Sequence, residues 1–373
     1  MPNLNPKFEY QKLNVSMTRT RTYLCNHKGE ISVFRKAVIR TRRREAGMAL
    51  IAVLWVLVLL TAIVAEFAYS MRTEVNITRN FREAAQAHYI AHSGVIRAVV
   101  AIVKNADKAK NEKKADDVTP DTAWRVNAAI APQRFGSGQF SVHIDNAAGL
   151  INLNTANDAL LRLMVNTLDI SDTEKAVIVD SILDWRDSDD LHRLHGAENN
   201  YYLSLPSPYA CKNSAFDVVE ELLLVRGIRS ELFYKKLRSI VTVTPDSKIR
   251  QAAKRRTPHL ITQAVAGQIN INAAPRQLLE ALPQITAEQI QNLMDYRIDR
   301  DLISMEEIRY LIGEQTFSVI SPYLTLDLSP YYTIRAEGRV SGSSVRQIIR
   351  AVVKIDPKLP DRYQVVSWHG RYF

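Results

Sequence analysis

The sequence predicts an α+β fold in which a long N-terminal helix packs on an antiparallel sheet and a large all-α domain is inserted after the first strand. An apolar run near the N-terminus passes without a break into an amphipathic helical pattern. Alternating strand patterns occur near residue 140 and again after residue 330. The sequence between them has helical character, so we expect it to interrupt a single sheet.

The N-terminal helix begins with a segment long enough to cross a membrane. The 20 residues from Ala46 to Ala65 carry no charge, and at about 1.5 Å per residue they span a hydrocarbon core of about 30 Å. Arginines at positions 42–44 predict a cytoplasmic N-terminal side and a single-pass protein with its bulk beyond the membrane. Apolar residues then recur every three or four positions, which predicts one helix from about Met48 to about Asn105.

The positive charge of the chain is concentrated before the apolar segment. The formal net charge is +10, but residues 1–47 hold 11 of the basic and 3 of the acidic residues, a net of +8. The remaining residues are therefore close to neutral, which argues against a nucleic-acid partner for the folded part.

The predicted sheet is built from one early strand and three late strands. Phe140, Val142 and Ile144 alternate with polar residues in the early strand, which is followed by Gly149. The late strands are expected at 331–340, 345–355 and 362–368. One buried face is predicted to carry Tyr332, Ile334, Ala336, Ile348, Ala351 and Val353.

An internal repeat lies within the predicted helical insertion. The pattern G-x-I-N-h-N-x-A, in which h is apolar, begins at Gly149 and again at Gly267. Each copy leads into a helix and a hairpin, as in helix-hairpin-helix or SAM-like units, so a membrane-tethered DNA-uptake protein is an alternative function. The hairpins are poor phosphate binders, because Gln284 and Arg229 stand where glycines are wanted. Helical packing units are therefore favoured, with no nucleic acid bound.

The segment from Asp184 to Asn200 has the highest density of candidate metal-binding or catalytic side chains. Hard oxygen ligands at irregular spacing suit Ca²⁺, although the segment is not an EF-hand because His192 would occupy the glycine position of the loop. Five carboxylates fall within 15 residues, those of Asp184, Asp187, Asp189, Asp190 and Glu198. A solvated acidic loop, a calcium site, and a zinc or hydrolase site using His192 and His195 all remain open at this point.

The sequence RRREAG followed by MALIAVLWVLVLLTAIVAEFA resembles the class III signal of type IV pilins and pseudopilins. The resemblance implies that a prepilin peptidase removes residues 1–47 by cutting after Gly47, and that Met48 becomes N-methylated. Most pilin-like subunits have glutamate at the fifth mature position, where this chain has Ala52. A carboxylate without a partner in hydrocarbon is costly, so this absence suits a subunit with no neighbour above it in a filament.

A wider resemblance covers nearly all of residues 42–373. The motifs D-W-x-D-x-D and G-A-E-x-x-Y-Y, Asn213 and the two repeats are together similar to the minor pseudopilins of type II secretion, the general secretion protein K family. This resemblance implies a pilin-like fold, a non-enzymatic role at the pseudopilus tip, and calcium in the acidic segment. The implied ligands are Asp187, Asp189, Glu198 and Asn200, with Asp184 and Asp190 less firmly placed.

The same resemblance implies partners, a location and a division of the chain. The partners would be minor pseudopilins I and J, the major pseudopilin, the inner-membrane assembly platform and the prepilin peptidase. The location would be the bacterial inner membrane, with the C-terminal part periplasmic. The expected segments are a leader at 1–47, a membrane span at 48–70, a helix and first strand at 71–148, an α-helical insertion at 149–325 and C-terminal strands at 326–373.

Overall fold

The computed structural model describes residues 46–111, 124–244 and 268–370. Helix α1 runs from Ala46 to Asn111, slightly longer than predicted. It contains no proline, and its many alanines and leucines favour the helix. The chain divides into two compact units between Tyr69 and Ser70. The predicted leader lies outside the described residues up to position 45.

The first unit contains the apolar part of α1. Every side chain from Met48 to Tyr69 is exposed, although most of them are large and apolar. This helix is long and apolar enough to cross a membrane. A surface of this kind is stable in hydrocarbon rather than in water, so a membrane explains its composition.

The second unit is built on a five-stranded antiparallel sheet in the order β1-β2-β7-β8-β9. Its strands are β1 at Gln133–Phe135, β2 at Gly138–Asn146, β7 at Tyr331–Val340, β8 at Arg346–Ile355 and β9 at Tyr363–His369. Each late strand agrees with its prediction to within one residue at either end. The sequence interpretation missed β1, a short strand that turns into β2 through Gly136. The insertion therefore follows the second strand, not the first.

Helix α1 packs directly on the inner face of this sheet. Ala87, Ala91 and Ala98 are fully buried, and a Cβ atom at Gly338 of β7 would overlap the backbone of Ala87 and Ala91. Small residues on both elements let the two backbones approach closely. Tyr332, Ile334, Ala336, Ala351 and Val353 face this core as predicted.

The predicted position of Ile348 is wrong. Its side chain is 39% exposed, and Ile349 is buried in its place. Successive side chains of a strand point to opposite faces, so Ile348 cannot share a face with Ala351 and Val353. Ile348 lies on the outer face of the sheet, away from α1.

The chain between β2 and β7 forms a second core made largely of short helices. Within residues 147–244 and 268–330, the α-helices are α2 at Asp158–Val165, α3 at Asp172–Arg186, α4 at Asn199–Tyr202, α5 at Ser230–Lys235, α6 at Arg276–Leu279, α7 at Ala287–Asp299, α8 at Met305–Ile312 and α9 at Glu314–Ile320. Polar side chains cap several of them, including complete capping boxes at Ser171 and Thr286. The helical character predicted for this region is thus present.

The all-α description of the insertion needs one correction. Strand β3 at Ile151–Asn152 pairs in parallel with β4 at Val241–Thr242. Strand β5 at Ile269–Asn270 pairs in the same way with β6 at Leu324–Thr325. The apolar residues of each repeat alternate with asparagine, which places them in the core only if the backbone is extended. The repeats therefore begin as short strands and become helical only afterwards.

The first asparagine of each repeat closes a turn and holds the paired strand. The Asn152 side chain accepts a hydrogen bond from the backbone N–H of Asn154 and donates to the Thr244 carbonyl. In the second copy Asn270 accepts from the N–H of Asn272 and donates to the carbonyl of Asp327. Asparagine is suited to this position because one short side chain carries both a donor and an acceptor.

The second asparagine of each repeat makes a two-point contact with a distant backbone. Asn154 donates to the Phe216 carbonyl at 2.9 Å and accepts from the Phe216 N–H at 2.7 Å. Asn272 makes the same pair of bonds with Leu302, both at 2.9 Å. The repeated asparagines thus fix the same local architecture twice.

Replacing Asn272 by alanine should destabilise the insertion. The change removes two hydrogen bonds and leaves the buried N–H and carbonyl of Leu302 without partners, which costs about 2–4 kcal/mol of unfolding free energy. Thermal unfolding followed by circular dichroism measures the loss. Asn292→Ala is the matched control, because Asn292 is exposed in the middle of α7 and should tolerate alanine. Equal melting temperatures for the two variants would contradict the assignment.

Candidate functional site

The acidic segment begins at the end of α3, where two carboxylates share one arginine. The Asp184 side chain is completely buried, and the Arg193 guanidinium contacts it at 2.5 Å. The same guanidinium reaches Asp187 at 2.7 Å. Burial raises the pKa of Asp184, while its ion pair and hydrogen bonds with Arg193 act in the opposite direction. These two residues are therefore partly neutralised by the protein itself.

The segment then folds back toward α3. The backbone N–H of Arg193 donates to Asp184, and the backbone N–H of His195 donates to Asp180. A Cβ atom at Gly196 would collide with the Asp184 carboxylate, so glycine is required for this close approach. The G-A-E motif thus positions Glu198 by allowing the chain to pass over the end of α3.

Two asparagines tie together the outer part of the segment. The Asp190 carboxylate accepts hydrogen bonds from the side chains of Asn199 at 2.8 Å and Asn213 at 3.0 Å. Asn213 also donates to the backbone carbonyl of Asp189. The Asn199 side chain accepts from the backbone N–H of Cys211. Residues 189–190 are consequently held against the chain near residues 211–213.

Glu198 is buried, and no basic side chain in the described part of the chain pairs with it. It is 4% exposed, and neither carboxylate oxygen accepts a hydrogen bond from a nitrogen or oxygen donor. Burial raises the pKa of Glu198 to about 7; the adjacent Cys211 thiol opposes that rise, and the charges of Asp184, Asp187 and Asp190 add to it. A buried carboxylate in this setting is stabilised by a proton or by a cation.

Two further oxygen atoms distinguish this region from an ordinary acidic loop. Besides the two Glu198 oxygens, Asp187 Oδ1 and Asn213 Oδ1 are buried and accept no hydrogen bond. Buried polar atoms are nearly always satisfied, so these four oxygens are candidate ligands for a cation. Hard oxygen atoms of carboxylate and amide type are the ligands that Ca²⁺ prefers.

The predicted ligands are distributed unevenly around these oxygens. Asp187 and Glu198 contribute unsatisfied oxygens, and Asp190 lies beside Asn213. Asp189 accepts from the backbone N–H of Leu191. Asn200 is exposed, unlike its neighbour Asn199. Within the ranges 46–111, 124–244 and 268–370, no three acidic, histidine or cysteine side chains are grouped as metal ligands.

The positions of the two histidines bear on the zinc or hydrolase alternative. His192 is exposed and its Nδ1 lies 3.0 Å from the Arg193 carbonyl, while His195 contacts Asp180. The three side chains of His192, His195 and Glu198 are not assembled into a metal site in the described part of the chain. This geometry gives no support to that alternative.

Asn213 is the ligand candidate that the sequence interpretation missed.

The segment that contains Asn213 could have been recognised by comparing the two repeats beyond their asparagines. The arginine of Asp184-Trp-Arg186 donates to the carbonyls of Leu153 and Ala156, and that of Asp295-Tyr-Arg297 donates to the equivalent carbonyls of the second repeat. The D-[WY]-R pattern thus extends the repeat beyond its asparagines.

The part of the acidic segment after Arg186 lies in residues that the second copy lacks. In the second copy the chain runs from Arg297 to Leu302, the partner of Asn272. In the first copy it runs from Arg186 to Phe216, the partner of Asn154, so 25 additional residues are present. These additional residues include Arg193, Glu198, Asn199 and Asn213.

Comparison with known proteins finds similarity to a component of type II secretion systems. A family model described as type II secretion system protein K matches residues 144–246, which include the whole acidic segment. Type II secretion system protein K of Aeromonas hydrophila is 26% identical over 226 residues, covering 56% of this chain and 66% of the relative. This chain is similar to type II secretion system protein K. The predicted family resemblance is confirmed.

Protein K of Pseudomonas aeruginosa extends this relationship over more of the chain. It is 24% identical over 306 residues, covering 75% of this chain and 85% of the relative. A chain in the crystal structure of the GspK-GspI-GspJ complex from the type 2 secretion system of enterotoxigenic Escherichia coli has a TM-score of 0.51 and 21% identity. That match covers 79% of this chain and 99% of the other, so the two share a fold.

Glu198→Gln should stabilise the chelator-treated protein at alkaline pH. Because the folded-state pKa is raised from 4.5 to about 7, the stability associated with protonated Glu198 is present below pH 4.5 and lost as pH rises through 7. Glutamine avoids this loss, so the variant should be more stable than wild type by about 3 kcal/mol at pH 8 and similar to it at pH 4.5. Melting temperatures across this range measure the difference.

Glu280→Gln serves as the control because Glu280 is exposed and paired only loosely with Arg276. It should change the melting temperature little at either pH. A Glu198→Gln variant that gains nothing at pH 8 would show that Glu198 is not destabilised by its ionisation.

Proposed function

We propose that this chain is a non-enzymatic minor pseudopilin that initiates and caps the pseudopilus of a type II secretion system. In this role it works with the major pseudopilin and the inner-membrane assembly platform to export folded proteins across the outer membrane. The observation that carries the proposal is the protein K family match at residues 144–246, in a chain that also has an apolar, exposed N-terminal helix.

The position at the tip is supported by two features. The residues between β2 and β7 add a second core beside the sheet and α1, and a subunit of this bulk is difficult to accommodate inside a tightly packed filament. The fifth residue after the proposed cleavage site is Ala52 rather than glutamate. A subunit without a neighbour above it gains nothing from a membrane-buried carboxylate.

The proposed partners follow from the same relationship. One solved structure with a chain that shares this fold is that of a GspK-GspI-GspJ complex. By analogy, this chain would form a tip complex with minor pseudopilins I and J. We place it in the inner membrane as a single-pass protein, with residues after about 70 in the periplasm, because the arginines at positions 42–44 favour a cytoplasmic N-terminal side.

We propose that Ca²⁺ stabilises the acidic segment. The unsatisfied oxygens of Asp187, Glu198 and Asn213 fit a hard cation, and Asp189 and Asp190 are adjacent to them. Asp184 would act mainly by holding Arg193, and Asn200 would join only by turning inward. Bound calcium supplies positive charge, while the protein residues orient the oxygens and exclude water from Glu198.

Processing at Gly47 tests the pseudopilin pathway. In a host with its prepilin peptidase, the membrane-extracted protein should have the mass of a chain that begins at N-methylated Met48. Gly47→Leu should retain the leader, because a large side chain crowds the scissile bond. Ala49→Leu introduces the same side chain two residues later and should be processed normally.

The processed protein should also be isolated together with minor pseudopilins I and J, whereas the uncleaved Gly47→Leu chain should not. Normal shortening of the Gly47→Leu chain would rule out this pathway.

Calcium should raise the melting temperature of the wild-type protein at pH 8, and a chelator should remove the gain. A ligand that binds only the folded state stabilises it by mass action, by about 2.7 kcal/mol at a concentration 100 times its Kd. Asn213→Ala should lose most of this gain, because it removes one proposed ligand. Asn166→Ala is the control, since Asn166 lies outside the acidic segment. The calcium gain should weaken below pH 7 as Glu198 takes up a proton.

No calcium shift in wild-type protein that has first been stripped of metal would overturn the calcium proposal. It would leave the proposed pseudopilin function untouched.

A further inference from the structure

The outer face of the sheet, defined here as the side of β1, β2, β7, β8 and β9 that points away from α1, is strongly basic. Strand alternation places Ile334 and Ala336 inside and Arg335 and Glu337 outside. The cations on this outer face are Arg134, Arg335, Arg339, Arg346, Arg350 and Lys354. The carboxylates near them are those of Asp145, Glu337 and Asp356.

The strand register arranges these residues in rows. One row crosses four strands as His143, Arg335, Arg350 and His369. A second row crosses β1, β2, β7 and β8 as Arg134, Gln139, Arg339 and Arg346. Neighbouring strands are about 4.8 Å apart, so each row extends over about 14 Å.

Two pairs of residues that lie directly opposite each other on β7 and β8 have like charge. Arg335 faces Arg350, and Arg339 faces Arg346. Like charges directly opposite each other destabilise an antiparallel sheet. Glu337 pairs with Arg339 at 2.5 Å, but Arg335, Arg346 and Arg350 form no ion pair with any residue in the described ranges. Such an arrangement weakens the isolated subunit, and it is useful when an anionic partner neutralises the face.

The composition of this face favours a protein partner over a membrane. Arginine presents a planar fork that suits carboxylates, and protein interfaces are enriched in arginine around an apolar centre. Ile348 is exposed between the two rows, beside Glu337. Carboxylates among the arginines would repel lipid phosphates. Tyr331, at an outward position of β7 opposite Lys354, is only 7% exposed, so the outward positions of β2, β7 and β8 present no exposed Phe, Tyr or Trp to a membrane.

We propose that the outer face docks the acidic surface of a folded protein, with Ile348 at the centre of the contact. The partner would present at least two carboxylates to the row formed by Arg335 and Arg350. This inference depends on the charge and register of the sheet and does not require the proposed secretion role. It adds a binding surface on the side of the sheet opposite α1.

Site-specific photo-crosslinking tests this surface in the full-length chain within its native membrane. A photoreactive amino acid replaces Ile348, and the crosslinked peptide is identified by mass spectrometry. The same amino acid at Ile303, which is 79% exposed in the insertion, is the position control. We expect a protein adduct at Ile348 whose contact peptide contains at least two Asp or Glu residues. An adduct with phospholipid alone, or no adduct, would overturn the proposal.

The single variant Arg350→Glu separates docking from folding. It replaces a like-charge pair with an opposite-charge pair across from Arg335, so the melting temperature should stay the same or rise. The crosslink yield should nevertheless fall at least tenfold. Lys235→Glu is the charge-matched control, since Lys235 is an exposed cation of the insertion, and it should leave the yield unchanged.

Reversal of the partner's contact carboxylates to lysine should restore the yield with Arg350→Glu. An unchanged yield in Arg350→Glu, or failure of the reversed partner to restore it, would show that the contact is not electrostatic. Identification of an acidic partner unrelated to secretion would support the docking face and count against the proposed function.

Discussion

The architecture depends on a pair of hydrogen bonds that closes the insertion at its base. Asn146, the last residue of β2, is 2% exposed; it donates to the Ser329 carbonyl at 2.8 Å and accepts from the Ser329 N–H at 2.9 Å. These bonds join the two ends of a segment longer than the rest of the second unit. Because both ends are fixed at one point, β2 and β7 can remain neighbours in the sheet. The sheet packs on α1 through a core to which the insertion adds Ala273.

The same two-point contact occurs inside the insertion, at Asn154 with Phe216 and at Asn272 with Leu302. Each contact holds a distant backbone in place without a long strand. The span that ends at Phe216 could therefore gain 25 residues while its ends stayed fixed. The acidic segment occupies this addition, and the second repeat shows that the fold of the unit does not require it. This separation of scaffold and addition supports a specific role for the acidic segment beyond packing.

Sequence periodicity was sufficient for the elements whose pattern is long and regular. The helix α1 and the strands β7, β8 and β9 were predicted closely, because their apolar positions repeat at one period over many residues. The short strand β1 and the parallel pairs at Ile151 and Ile269 were missed, because two or three residues carry no period and pair with segments far along the chain. Ile348 was assigned to the wrong face because it is apolar, although alternation along the strand places it on the face opposite to Ala351 and Val353.

The candidate site was predictable in composition but not in detail. Five carboxylates in one segment could be read directly, but the role of Arg193 as their internal partner depends on a fold-back that no local pattern encodes. Asn213 is distant in sequence and reaches Asp190 only because residues 189–213 close on themselves.

The net charge after residue 47 is close to neutral because a negatively charged segment on one core is balanced by a positively charged surface on the other. The acidic segment belongs to the core of the insertion, and the arginine rows belong to the sheet packed on α1. The two cores are joined by Arg125, which donates to the backbone carbonyls of Arg297 and Ile298, and by Asn127, which donates to the carbonyl of Asn272. These bonds are made to backbone rather than to the acidic segment. Because these bonds do not involve the acidic segment, neutralisation of Glu198 would leave the contacts between the two cores unchanged.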